Sequence, residues 1–233
     1  MAHPARVAVF VSGGGTNLQA LIDRFHAGAA VPARVALVVA GRAGIGALER
    51  AARAGIDAVV VPEGGADDAG WLLGVLERHA IDLVVLAGYL RLVPHAVVHR
   101  YRGRMLNIHP ALLPAFGGPG MYGMRVHRAV LASGACVSGA TVHLVDEEYD
   151  SGRIVAQWPV PVLPGDTPES LAVRVLAVEH RLLPLAVEAA ARAVQPSDGP
   201  MPDAPAAFEL VRAAAPAEGS IRALLNRIPS PES

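Results

Sequence analysis

The sequence predicts an α/β fold: a single-domain, open, mostly parallel (Rossmann-like) sheet with helices on both faces and an antiparallel C-terminal hairpin. Three observations carry that expectation. Short, near-continuously apolar runs alternate with amphipathic stretches, as strands of a parallel sheet covered on both faces do. Glycine-containing turns follow the first apolar run and the most apolar one, where such a sheet hands over to its next element. Past residue 135, two strand-like runs follow one another with only a turn between them, as an antiparallel pair allows.

Taken in order, Arg6–Val11 is a compact apolar run, and Ser12-Gly13-Gly14-Gly15-Thr16-Asn17 ends it. Leu18, Leu21, Ile22 and Phe25 then recur at helical spacing. Val35–Val39 reads as a second strand and Ile45–Ala54 as a helix stopped by Gly55. Asp57–Val61 is a third strand, and Asp68–His79 a helix with Trp71, Leu72, Val75 and Leu76 inward. Ile81–Ala87 is the most continuous apolar strand, ending at Gly88-Tyr89-Leu90-Arg91. Met105–His109 is a short buried strand, because Pro110 cannot donate to a further ladder bond. Phe116–Gly123 is too rich in glycine for regular structure and reads as a mobile loop, followed by a short helix at Val126–Ala132.

Cys136–Val145 and Arg153–Val162 form the strand-like pair, with the acidic turn Asp146–Gly152 between them. Asp166-Thr167-Pro168-Glu169 opens the last helix: Thr at the cap, Pro at the first position, an acid in the first turn. Its apolar stripe is Leu171, Val175, Val178, Leu182 and Leu185, with a kink expected at Pro184. Residues 1–194 are read as the catalytic domain and 195–233 as a Pro/Ala-rich tail with one short helix near Ile221–Asn226.

Composition narrows the function classes. The chain has 233 residues and a formal net charge of -1, which gives no global case for nucleic acid or a membrane surface. All 20 basic residues are arginine, so Schiff-base chemistry and a P-loop lysine are excluded. Cys136 is the one cysteine, which rules out an intrachain disulfide and a cysteine zinc cluster. No apolar run reaches membrane-spanning length and no signal-peptide pattern opens the chain, so the cytoplasm is the expected compartment.

Asn107 and His109, one residue apart on a strand end, point to one face, with Ile108 turned into a core. An amide donor beside an imidazole suits oxyanion stabilisation and proton transfer. Asp150, if the hairpin folds back over that edge, would hold the imidazole, raise its pKa and fix its tautomer; otherwise it is a solvated turn residue. His143, in an alternating strand, reads as a supporting hydrogen-bonding residue behind the pair.

The Ser12–Asn17 turn precedes a helix, where backbone N–H groups and the helix dipole favour a phosphate. Leu18 stands where a dinucleotide fingerprint needs its third glycine, and Ala40-Gly41-Arg42 supplies no acid, so NAD is not expected. A small phosphorylated ligand fits, with Thr16 and Asn17 as donors; the same residues would serve in a plain turn capping the helix. Leu90 and Leu92 line an apolar slot, and Arg91 either meets an anion or forms an ion pair. Glu179 either accepts bonds from ligand hydroxyls or, like His180, lies on the helix surface. No metal is expected: His95 and His99 share a helical spacing without a third ligand, and the two-His, one-carboxylate iron site open in principle to His109, His143 and Asp150 loses to His143 as a supporting hydrogen-bonding residue.

With these residues in place, the chain resembles the folate-dependent phosphoribosylglycinamide formyltransferases of the wider formyltransferase fold. The matching runs are Ser12–Ala20, Leu86–Arg91, Leu106–Pro114, Gly139–His143 and Asp150–Gly152, in family order across roughly residues 6–190. The resemblance implies formyl transfer from 10-formyltetrahydrofolate, as co-substrate, to the amine of glycinamide ribonucleotide in purine biosynthesis. It implies Asn107, His109 and Asp150 as the catalytic trio. It places Gly14, Gly15, Thr16, Asn17 and Glu179 on the ribonucleotide. It places Leu90, Arg91, Leu92 and Val93, with Asp146, Glu147, Glu148 and Tyr149, on the folate. Partners are then small molecules, with a homodimer left open. The chain departs from the family in its long glycine-rich loop after Pro114, its Asp-Ser-Gly turn and its proline-rich tail. Two rivals remain: a formyltetrahydrofolate deformylase, with water replacing the amine, and a non-catalytic phosphometabolite- or folate-binding protein.

Overall fold

A computed structural model describes residues 3–26, 31–62 and 68–194. Through them run β1 (Ala5–Val11), α1 (Thr16–Phe25), β2 (Ala33–Ala40), α2 (Gly46–Arg53), β3 (Asp57–Val60), α3 (Ala69–Arg78) and β4 (Leu83–Leu86). There follow α4 (His95–Arg100), β5 (Met105–His109), α5 (Met124–Ala132), β6 (Val137–Leu144), β7 (Ile154–Pro161) and α6 (Pro168–Ala193). The expected tail from residue 195, with its short helix near 221–226, lies outside the described residues.

The strands form one sheet in the order β3-β2-β1-β4-β5-β6-β7. Neighbours from β3 to β5 are parallel, whereas β5–β6 and β6–β7 are antiparallel. The mostly parallel open sheet and its antiparallel end are therefore as expected.

The central strands read as continuously apolar because both of their faces are covered. In β1, Val7, Val9 and Val11 enter a core shared with α1, α2, α5 and α6, while Ala8 and Phe10 enter a second core with α3 and α4. All five are fully buried, and each larger side chain contributes roughly 1.5–3 kcal/mol by leaving water. At the edge, β3 has three exposed residues of four and packs less.

Local chemistry sets the helix ends. The Asp68 carboxylate accepts from the Trp71 N–H at 2.9 Å, so α3 starts at Ala69. Thr167 and Ser170 cap α6 reciprocally, each side chain accepting the other's backbone N–H. The Arg174 guanidinium forks onto both oxygens of Asp166, one residue before that cap, and holds its carboxyl well below the usual range. Pro184 does not end α6; Leu182, Leu183, Ala186 and Val187 are buried around it, and that packing carries the helix past the missing N–H.

Chain direction across the sheet reverses between β1 and β4. The segments leaving these strands diverge there and open a crevice at the carboxyl edge. They remain tied to each other: the Ser12 N–H donates to the Gly88 carbonyl at 3.1 Å, and the Leu90 N–H to the Ser12 hydroxyl at 3.0 Å.

Candidate active site

β5 delivers Asn107 and His109 to this edge, and Ile108 between them is buried in the opposite core. Because β6 runs antiparallel to β5, His143 stands opposite Asn107 and Thr141 opposite His109. The Leu144 carbonyl, 2.8 Å from His143 Nδ1, can only accept, so that nitrogen carries the proton. His143 Nε2 is then the acceptor for the Asn107 amide at 2.9 Å. His143, expected to support the pair by hydrogen bonding, bonds Asn107. The second hydrogen of the Asn107 amide is directed at Asp150 Oδ1 over 3.4 Å, a long and weak contact.

Asp150 reaches these groups from the turn after β6. Its backbone is left-handed, with φ 55°, a strained state for a residue other than glycine. Oδ2 lies 3.5 Å from His109 Nδ1 and accepts the Gly118 N–H at 3.0 Å; Oδ1 lies 3.5 Å from His143 Nε2. Gly152 closes the turn where a Cβ would collide with the Leu144 carbonyl. A Cβ on Gly117 would run into Leu113 and come within 3.2 Å of Asp150 Cβ. The glycine-rich loop, expected to be mobile, is anchored here: Phe116 accepts from His109 Nε2 at 2.9 Å, and Gly118 donates to Asp150.

Burial pushes the His109 pKa down and outweighs the neighbouring Asp150 carboxylate and Phe116 carbonyl, which raise it; His143 lowers it further. Asp150 acts in the expected direction, but with His109 only 3% exposed, desolvation prevails. For Asp150, burial raises the pKa, but His143 and His109 in their protonated forms, with the Gly118 N–H, together bring it below the ordinary value. A neutral imidazole thus faces a carboxylate. Thr141 holds the segment after His109, its hydroxyl donating to the Ala111 carbonyl at 2.6 Å and accepting from the Leu113 N–H at 3.0 Å. Gln157 adds a 2.8 Å bond to the Leu113 carbonyl.

Asn107, His109, His143 and Asp150 line a cleft of about 420 Å³. Leu90, Arg91, Leu92 and Val93 line it after β4; Leu90 and Leu92 are exposed and Val93 is buried. Asp146, Glu147, Glu148 and Tyr149 line it from the turn after β6. Asp146 also stabilises that turn through the Glu148 N–H and the Ser151 hydroxyl, and Glu147 lies 3.8 Å from Arg102.

Of the glycine turn, Asn17 lines the cleft, whereas Gly14, Gly15 and Thr16 do not. Neither Thr16 nor Asn17 caps α1: Gly15 holds that position in a left-handed conformation, with no side-chain bond. The Asn17 amide instead donates to Glu179 at 2.6 Å, so the donor expected for a phosphate is held by a carboxylate. Glu179 is not on the helix surface but 7% exposed, and burial, partly offset by Asn17, pushes its carboxyl up to about 7.

Two further residues escaped the sequence reading. His127 on α5 lines the cleft, is 5% exposed and leaves Nδ1 without a partner; burial and then His109 lower its pKa. It follows Val126 in the buried stripe of a short helix, where spacing alone marks it as a core histidine. Arg50 on α2 donates to the Gly14 carbonyl at 2.8 Å, and nothing in its helical context distinguishes it from other surface arginines. Among the described residues no group of three or more His, Cys, Asp or Glu side chains could hold a metal ion, and His95 and His99 are both exposed. No helix among them is long and apolar enough to cross a membrane.

Residues 5–187 match the family model described as formyl transferase. The chain is 48% identical over 182 residues to the chloroplastic phosphoribosylglycinamide formyltransferase of Arabidopsis thaliana, an alignment covering 76% of this chain and 62% of the relative. It is 45% identical over 188 residues to the protein of the same name from Vigna unguiculata, covering 79% and 60%. It thus spans about three-fifths of the length of these plant relatives. The crystal structure of glycinamide ribonucleotide transformylase 1 from Symbiobacterium toebii superposes with a TM-score of 0.75 at 43% identity, covering 82% of this chain and 90% of that one. With the family model matching residues 5–187 and relatives 45–48% identical, the chain belongs to the formyl transferase family.

Proposed function

We propose that the protein transfers the formyl group of 10-formyltetrahydrofolate to the amine of glycinamide ribonucleotide, a step of de novo purine biosynthesis. One observation carries this: Asn107, His109 and Asp150 meet in a single cleft that Leu90 to Val93, Asp146 to Tyr149, Asn17 and Glu179 also line. Leu90, Arg91, Leu92 and Val93, with Asp146 to Tyr149, receive the folate. Gly14, Gly15, Thr16, Asn17 and Glu179 receive the ribonucleotide.

The amine nitrogen attacks the formyl carbon, and the carbonyl pair moves onto oxygen. The Asn107 hydrogen directed only weakly at Asp150 donates to that oxyanion, while the other stays on His143 and fixes the plane of the amide. Neutral His109, with its Nε2 proton engaged by Phe116, takes the amine proton at Nδ1, and the facing Asp150 carboxylate stabilises the imidazolium. That proton passes to the folate nitrogen as its bond to carbon breaks and the carbonyl re-forms. The formyl group ends on the amine and the proton on the folate, without an enzyme nucleophile.

A coupled assay with both substrates tests this. Transfer that requires both is expected. Formate release at the same rate without the ribonucleotide would identify a deformylase, and tight binding of either substrate without turnover a binding protein.

A further inference from the structure

The glycine turn after β1 is shaped from behind by α2. The Gly13 carbonyl accepts the Ala47 N–H at 3.3 Å, and the Gly14 carbonyl accepts Arg50 Nε at 2.8 Å. Two successive carbonyls of the turn therefore face α2. In a trans peptide the N–H points opposite to the C=O, so the Gly14 and Gly15 N–H groups face away from α2. Among the described residues neither has a hydrogen-bond acceptor. Contact between α2 and the turn is close: a Cβ on Gly15, whose φ is 73°, would come within 2.7 Å of Ala47 Cβ. Arg50 also reaches Gln19 of α1 through Nη1 at 3.0 Å, and Gln19 is held in turn by Asp23 at 2.8 Å. Its guanidinium thus joins α2, the turn and the first two helical turns of α1, and places a fixed positive charge behind the N–H groups.

We propose that Arg50 is a positioning residue for the ribonucleotide phosphate: it pulls the Gly14 carbonyl back onto α2, aims the Gly14 and Gly15 N–H groups at the phosphate, and supplies the cation behind them. This rests on the functional reading above, and it adds a residue that need not touch the ligand. A charge-assisted bond of this kind sets the turn geometry, and the helix dipole of α1 acts in the same direction. An arginine that merely fastened α2 to α1 would affect both substrates alike.

The test uses the full chain with Arg50→Met, which keeps the aliphatic stem, and Arg50→Lys, which keeps the charge without the fork. Initial rates give KM for each substrate, and thermal shifts with inorganic phosphate report on anion binding without turnover. Arg50→Met is expected to raise KM for glycinamide ribonucleotide about ten-fold or more, to leave KM for 10-formyltetrahydrofolate within about two-fold, and to abolish the phosphate shift. Arg50→Lys should restore part of both. Unchanged KM for the ribonucleotide, an equal rise for both substrates, or a phosphate shift equal to that of the wild type would overturn the proposal. If the wild type does not formylate the ribonucleotide, the functional reading fails. The phosphate shift then decides for Arg50 alone: present in the wild type and lost in Arg50→Met supports it, and any other pattern overturns it. Should Arg50→Met fail to fold, Arg50→Lys is judged by the same KM split and phosphate shift.

Discussion

Asn17 and Glu179, 162 positions apart in sequence, share a 2.6 Å hydrogen bond at the buried junction of α1 and α6. Burial raises the Glu179 pKa to about 7 despite that bond. Its native pKa therefore exceeds the unfolded value of 4.5, and the native state binds more protons between the two. Stability from this group is full below about 4.5 and declines as pH rises through about 7, by on the order of 3 kcal/mol. Glu179→Gln, which keeps an acceptor for Asn17, should flatten that slope. Urea unfolding of both proteins at pH 5 and pH 7.5 measures it, and equal pH dependence would remove Glu179 as the cause.

The neutral form of His109 is the proton acceptor, and burial holds its pKa below 6.5. Activity should therefore fall as pH drops through an apparent pKa below 6.5. Asp150→Asn removes a contribution that raises the pKa, so the acid limb should move to still lower pH while kcat falls. A kcat/KM profile across pH 4.5–8 reads both effects, and a limb above 6.5 would contradict the role given to burial.

Asn107→Ala removes the proposed oxyanion donor and should lower kcat about 10²–10³-fold. Because neither the glycine turn nor Glu179 is altered, KM for the ribonucleotide should change little. Steady-state rates with both substrates varied decide the matter, and a variant retaining near-full kcat would remove Asn107 from the reaction.

Thr141→Val keeps the shape of a fully buried side chain but strips acceptors and donors from Ala111, Leu113 and Gln157. Leaving such groups unpaired costs about 1–3 kcal/mol. Denaturant midpoints should fall accordingly, and kcat should drop with them, because the same bonds fix the segment leaving His109. Loss of stability with kcat intact would mean that His109 is held by β5 alone.

Gly152→Ala pushes a Cβ into the Leu144 carbonyl at the base of the turn that carries Asp150. Overpacking of this kind costs roughly 1–3 kcal/mol, and here the backbone must move, which displaces Asp150. Kinetics at a temperature where the variant is folded should show a kcat loss approaching that of Asp150→Asn. Near-normal kcat in the folded variant would show that the turn relaxes without moving the carboxylate.

By itself the sequence determined the layered α/β architecture, because apolar runs such as Ile81–Ala87 leave no polar face and so require cover on both sides. It also determined that Asn107 and His109 share a face, since a period of two fixes side-chain direction along a strand. Helix starts at Asp68 and Thr167 were legible because capping is a local interaction. What only the tertiary structure decided depended on segments far apart in the chain. The antiparallel return of β6 along β5 put His143 on Asn107 and brought Asp150 to His109, and strand register across a long connection has no local signature. Burial did the rest: it made Glu179 a cleft residue rather than a surface one, engaged Asn17 with it, and turned the His109 pKa downward. Desolvation is the sum of everything packed around a group, and no stretch of neighbouring residues contains it.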